Sequence, residues 1–101
     1  MLIEEDIRRV DLLKVDVEGF EAMVFQGAKR LLTGQDAPLI IFEFCDWAEA
    51  RIPGGRVGDG QRTLRDFGYE LHRLSDFIRG RENPLNDIIL HGFEMFVASR
   101  S

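Results

Sequence analysis

The chain has 101 residues, enough for one domain, since domains run to about 100–150 residues and a core of that size leaves a modest margin of stability. Hydrophobic residues make up 45% and charged residues 31%, the balance of a folded globular protein rather than a disordered one. A formal net charge of −5 gives no broad cationic field, which excludes nucleic acid as the expected partner, and no apolar run approaches the roughly 20 residues of a membrane span. Arg62, Arg65, Arg73, Arg79 and Arg81 cluster locally, but carboxylates are interleaved with them as on solvated faces. Cys45 is the one cysteine, so no internal disulfide can form, and with no signal-like N-terminus the expected compartment is the cytoplasm.

Residues Ile3 to Arg9 read as a short helix or lead-in turn. From Val10 to Val17 the sequence is close to a continuous apolar run, the signature of a strand buried on both faces of a parallel sheet. Phe20, Met23, Val24, Gly27, Ala28 and Leu31 then recur at spacings of three and four, which predicts a helix with that face turned inward. Gly34 is its natural stop, and Gly27 is expected to let the helix approach the sheet closely. Pro38 opens Leu39 to Cys45, too short and too rich in β-branched and aromatic residues for a helix, and this predicts a second buried strand. A strand, a crossover helix and a strand of this length make a βαβ unit with parallel strands and a right-handed crossover.

Asp46 to Gly60 reads as a polar, glycine-rich connection that lines the rim, and Gln61 to Phe67 as a helix closed by Gly68. Tyr69 to Leu74 alternates like a half-exposed strand, Asn83 to Asp87 looks like a turn, and Phe93 to Ala98 is a last apolar strand. Ile88 to Leu90 either extends a strand or packs as a loop. No internal repeat is visible.

The chemistry is concentrated where the first strand ends. In open α/β sheets, ligands bind beyond the carboxyl ends of the strands, and parallel pairing makes Asp16, Glu18 and Glu43 neighbours there. A carboxylate at that rim can act as a general base toward a hydroxyl, or Asp16, Glu18 and Glu43 together can hold a hard divalent cation through oxygen ligands. The competing role for Glu18 and Glu21 is structural, as negative charge at the start of the following helix. Lys14, two positions before Asp16 on the same side of the pleat, either pairs with a carboxylate or meets substrate. Trp47 either stacks on a ligand ring or seals the core, and large aromatics more often do the second. His72 and His91 lack the spaced partners of a metal site, and Cys45 reads as a small core residue.

Asp11-Leu-Leu-Lys-Val-Asp-Val-Glu-Gly-Phe-Glu21, followed by Gln26-Gly-Ala-Lys-Arg-Leu-Leu32 and Pro38-Leu-Ile-Ile-Phe-Glu-Phe44, resembles the FkbM family of S-adenosylmethionine-dependent methyltransferases. The likeness continues more loosely through Leu64 to Leu71. It implies an α/β fold, the C-terminal half of a Rossmann-like methyltransferase, with a mostly parallel sheet, one antiparallel C-terminal strand and flanking helices. It implies O-methyl transfer from S-adenosylmethionine to a small-molecule or saccharide hydroxyl, with Asp16 and Glu43 catalytic and Lys14 and Trp47 facing substrate.

The methyl-donor site of such enzymes is built from a strand, a Gly-rich turn and an acidic residue at the next strand end, and no such sequence precedes Asp11. The expectation is therefore a single partial domain over residues 1–101, lacking the N-terminal cofactor-binding half and inactive alone. The rival is a noncatalytic dimerisation or partner-binding module. Strand 10–17 would then be an edge through which a homodimer could form.

Overall fold

A computed structural model describes residues 12–35 and 37–100. Four strands form one sheet: β1 (Leu12–Val15), β2 (Leu39–Cys45), β3 (Glu70–Arg73) and β4 (Phe93–Ser99). Their order is β1-β2-β4-β3. β1 and β2 are parallel, as expected, while β4 runs antiparallel to both of its neighbours. Three strands thus point one way and the last one against them. The expected lead-in over Ile3 to Arg9, and Val10 and Asp11 of the expected first strand, lie outside the described residues.

The core lies mainly on one face of the sheet, although Val97 and His72 on the other face are buried as well. Along β2, Ile40, Phe42 and Phe44 are buried while Leu39, Ile41 and Glu43 between them are only half-buried, so the side-chain alternation of the pleat divides core from rim. Val15, Leu71, Phe96 and Ala98 fall on the same buried side by register and complete the sheet's share of the core. Burial on both faces, expected of the first two strands, is therefore not found. Among the described residues β1 lies at the sheet edge and buries Val15 alone, with Leu12 53% exposed.

Helices α1 (Glu21–Gly27), α2 (Lys29–Leu32), α3 (Asp46–Ala50), α4 (Asp59–Asp66) and α5 (Leu74–Ile78) complete the described fold. Phe25 of α1 meets Phe42 edge to face with ring centroids 5.4 Å apart, the arrangement favoured by the ring quadrupoles. Leu32 of α2 and Leu64 of α4 join the same core.

The buried stripe of the first helical segment is Glu21, Phe25, half-buried Ala28 and Leu32; of the predicted face Ala28 and Leu31 pack against the core, whereas Phe20, Met23 and Val24 face solvent. Gly27 is exposed, and a Cβ there would meet nothing within 4 Å, so it gives no close approach to the sheet. The segment also breaks at Ala28, whose N–H is shared between the carbonyls of Val24 and Phe25.

Asp46 to Ala50, read as part of a loop, is the helix α3, and Leu74, read as the end of a strand, begins α5 directly after β3. Residues Ile88 to Leu90 are a packed loop: the Gln61 side chain donates to the Ile89 carbonyl at 2.8 Å and accepts from the Ile89 N–H at 2.9 Å. That paired clasp ties the loop to α4.

Candidate functional site

The rim is the carboxyl end of β1 and β2. The parallel register pairs Val15 with Phe42, so the next step along both strands sets Asp16 beside Glu43, on the face of the sheet away from Phe42. Burial raises the pKa of Glu43 above the ordinary carboxyl value, and the neighbouring Asp16 charge and hydrogen bond raise it further, with smaller contributions from Glu21 and Glu18. Like charges crowded at one point disfavour a second ionisation. Of the three acids expected at the rim, Asp16 and Glu43 are in contact, while Glu18 acts on Glu43 only through its charge.

The turn after Asp16 is strained and held. Glu18 sits at φ +45° and Gly19 at φ +98°, two successive left-handed residues, the first of them not glycine. Glu21 holds the turn from below. It is 2% exposed, and its carboxylate accepts from the Gly19 N–H at 2.9 Å and the Val17 N–H at 3.3 Å. Charge near a helix N-terminus explains its place at the start of α1, but the hydrogen bonds show its work: it fixes the turn that carries Asp16 and Glu18.

A second buried carboxylate fastens the far side. Glu49 of α3, 5% exposed, accepts from the Gly58 N–H at 2.6 Å and the Gly60 N–H at 3.1 Å at the start of α4. Burial raises its pKa, against the lowering effect of those two amides. Nothing in the spacing of residues 49, 58 and 60 signals this clasp, because it exists only once α3 has folded.

Trp47 is not a core residue. It is 57% exposed, and the Arg51 guanidinium stands over its ring at 5.4 Å from the centroid, a cation–π contact. Together with Glu18, Phe20 and Pro53 these two line a cavity of about 290 Å³ beside the strained turn. Arg51 and Phe20 were not legible as site residues, the first because it sat in an apparent loop and the second because it was counted toward the helix's inner face. Lys14 is exposed on β1, on the Asp16 side of the pleat.

His72 lies away from the rim, buried on β3 with its ring against Phe77, and His91 is exposed. Cys45, buried at the end of β2, packs as expected. Among the described residues, no three His, Cys, Asp or Glu side chains converge to hold a metal ion, so Asp16, Glu18 and Glu43 form no ready-made cation cage there.

The family model of the methyltransferase FkbM domain matches residues 1–82, most of the 101-residue chain. The chain belongs to the FkbM methyltransferase family. No curated protein and no solved structure matches it.

An FkbM methyltransferase domain implies S-adenosylmethionine as methyl donor. The glycines of this FkbM chain do not supply its cradle among the described residues. Gly54, Gly55 and Gly58 connect α3 to α4 and Gly60 lies in the first turn of α4, and the amides of Gly58 and Gly60 are already taken by Glu49.

Proposed function

We propose that this chain holds the acceptor of an O-methyl transfer and takes the proton from its hydroxyl group, the acceptor being a sugar or natural-product hydroxyl and the methyl donor of the complete enzyme S-adenosylmethionine. The observation that carries the reading is the Asp16–Glu43 pair at the shared rim of two parallel strands. As an oxygen gains a bond to carbon its proton must leave, and a base works best when its pKa lies near the working pH. Asp16 accepts the hydroxyl's hydrogen bond, and Glu43, whose affinity for a proton is raised, holds the proton as it departs. Lys14 stands on the same side of the strand to meet polar groups of the acceptor. The strand order and the reversed last strand support the C-terminal half of a Rossmann-like methyltransferase sheet, with the donor held outside the described residues.

The test is transfer of tritium-labelled methyl from S-adenosylmethionine to a panel of sugars, polyols and hydroxylated natural products. In the complete enzyme a base-stable methyl ether is expected, with the rate falling by about 10²–10⁴ in Asp16→Asn, the usual contribution of a general base, while this chain alone is expected to transfer no label. An Asp16→Asn enzyme as fast as the wild type overturns the reading of Asp16 as the base.

One observation favours a second reading, a noncatalytic module that dimerises or binds a partner. β1 is a sheet edge among the described residues, and edges offer unpaired backbone groups to another chain. A concentration-dependent dimer in sedimentation, weakened by proline at Leu13, supports a homodimer through β1. A monomer at every concentration argues against it.

A further inference from the structure

We propose that the outer stripe of α1, formed by Phe20, Met23, Val24 and Gly27, seats a second copy of this chain, which packs the same stripe against it, antiparallel, across a twofold axis. The surface is separate from the β1 edge, and the inference stands whether or not the acidic rim is catalytic.

One short helix is apolar on two faces. α1 sends Phe25 into the core along the stripe that begins at Glu21, yet Phe20, Met23 and Val24, at spacings of three and four, face solvent, and Met23 is 60% exposed. A surface helix ordinarily places polar residues there, and one that is apolar on both sides is covered on both sides. Grouped exposed apolar residues of this kind mark an interaction site. Gly27 says what neighbour fits. Glycine is a poor helix former, and nothing in this chain asks for it: its φ is not left-handed, and a Cβ there would meet no atom within 4 Å. A missing side chain on an open face lets another element come close.

Shape and charge select the same partner and the same direction. The stripe is bulky at Phe20 and bare at Gly27, about two helical turns later. A twofold axis between Met23 and Val24 sets Phe20 over the partner's Gly27 and Met23 against the partner's Val24, so each ring fills the space that the other copy leaves. Parallel packing would oppose ring to ring and leave both glycines facing a gap. Exposed Asp16 and Glu18 precede the stripe, and exposed Lys29 and Arg30 follow it. The antiparallel pair therefore brings the acidic end of each copy to the basic end of the other, whereas like charges set face to face oppose association. Such an isologous contact closes at two copies. The stripe is narrow beside the roughly 800 Å² per partner of a standard interface, so the dimer is expected to be weak, with a Kd on the order of 10–100 μM.

Sedimentation equilibrium over roughly 5–500 μM, a range that brackets such a constant, is expected to show monomer and dimer in exchange. Gly27→Leu adds a side chain that enters open space in the single chain, so the circular dichroism spectrum is expected to persist while the dimer weakens at least tenfold. Glu18→Lys, and separately the double variant Lys29→Glu with Arg30→Glu, are each expected to weaken self-association at low salt. An equal mixture of those two proteins is expected to form a one-to-one heterodimer, because each exchanged end then meets its opposite. A monomer throughout the range overturns the proposal, as does a dimer that Gly27→Leu leaves intact; if Leu13→Pro dissolves that dimer, it belongs to the β1 edge. A mixture that associates no better than either variant alone overturns the antiparallel seat.

Discussion

Gly19 is pressed against Ala48: a Cβ at position 19 would fall 2.6 Å from the Ala48 carbonyl oxygen. The turn after β1 and the helix after β2 are therefore in backbone contact, and the two halves of the rim keep a fixed spacing. Gly19 also sits at φ +98°, where L side chains are strained. Gly19→Ala is expected to cost about 2–4 kcal/mol, the sum of left-handed strain and overpacking, read as a lower midpoint in urea unfolding. Retention of the wild-type midpoint would show that the turn can move away from α3.

Glu43 carries a pH signature. Its folded pKa is raised, so the folded state binds its proton more tightly than the unfolded chain does, and ionising it costs stability. That cost is absent below the ordinary carboxyl range and grows as pH rises through the raised folded value. Glu43→Gln is therefore expected to match or exceed wild-type stability at pH 7, with the difference vanishing below about pH 4, the unperturbed carboxyl pKa. Melting temperatures of the two proteins from pH 4 to 8 check this, and a difference that grows on acidification contradicts it.

Asp46 shows the opposite sign. Its carboxylate accepts from the Gly92 N–H at 2.8 Å and from the Trp47 N–H at 2.6 Å, and the Gly92 bond is the main reason its pKa is lowered. Its contribution is present above the ordinary Asp value and is lost as pH falls through the lowered folded one. Asp46→Ala is expected to destabilise modestly at neutral pH and not at all once the wild-type carboxyl is protonated. Carbon-13 detection of the Asp46 carboxyl gives the midpoint directly.

Removing Glu49 exposes two amides to no partner. Glu49→Ala leaves the Gly58 and Gly60 N–H groups without their acceptor in a buried site, and a loss of about 2–4 kcal/mol is expected from stranded donors and lost packing. Glu49→Gln keeps an acceptor oxygen and is expected to recover part of that loss. Hydrogen exchange at Gly58 and Gly60 separates this from a general loss of stability, because both amides should exchange faster in Glu49→Ala while those of β2 keep their order.

Much of the fold was legible because particular segments speak locally. Leu39 to Cys45 matches β2 at both ends, since a short β-branched and aromatic run behind Pro38 has no competing reading. The parallel pairing of β1 with β2 followed from connection length alone. The helix face was misread for a specific reason. Apolar periodicity passes over Glu21, yet Glu21 is buried because two backbone amides satisfy its carboxylate, and burying a charged group is tolerable only when it is hydrogen-bonded. The same exception hides Glu49. Asp16 and Glu43 could be placed together from strand ends, whereas Trp47 and Arg51 could not be placed at the rim, because their position depends on α3, a five-residue helix in a stretch whose glycines predict a loop.

The bond from Glu49 to Gly58 joins residues nine positions apart, with residues 50–57 forming the loop it closes. Lengthening such a closed span costs little, about 0.6 kcal/mol per doubling, and only Val57 at its far end packs against the core. The stretch that begins at Arg51 and lines the cavity beside the turn can therefore vary in length or sequence while the sheet and the acidic rim stay as they are.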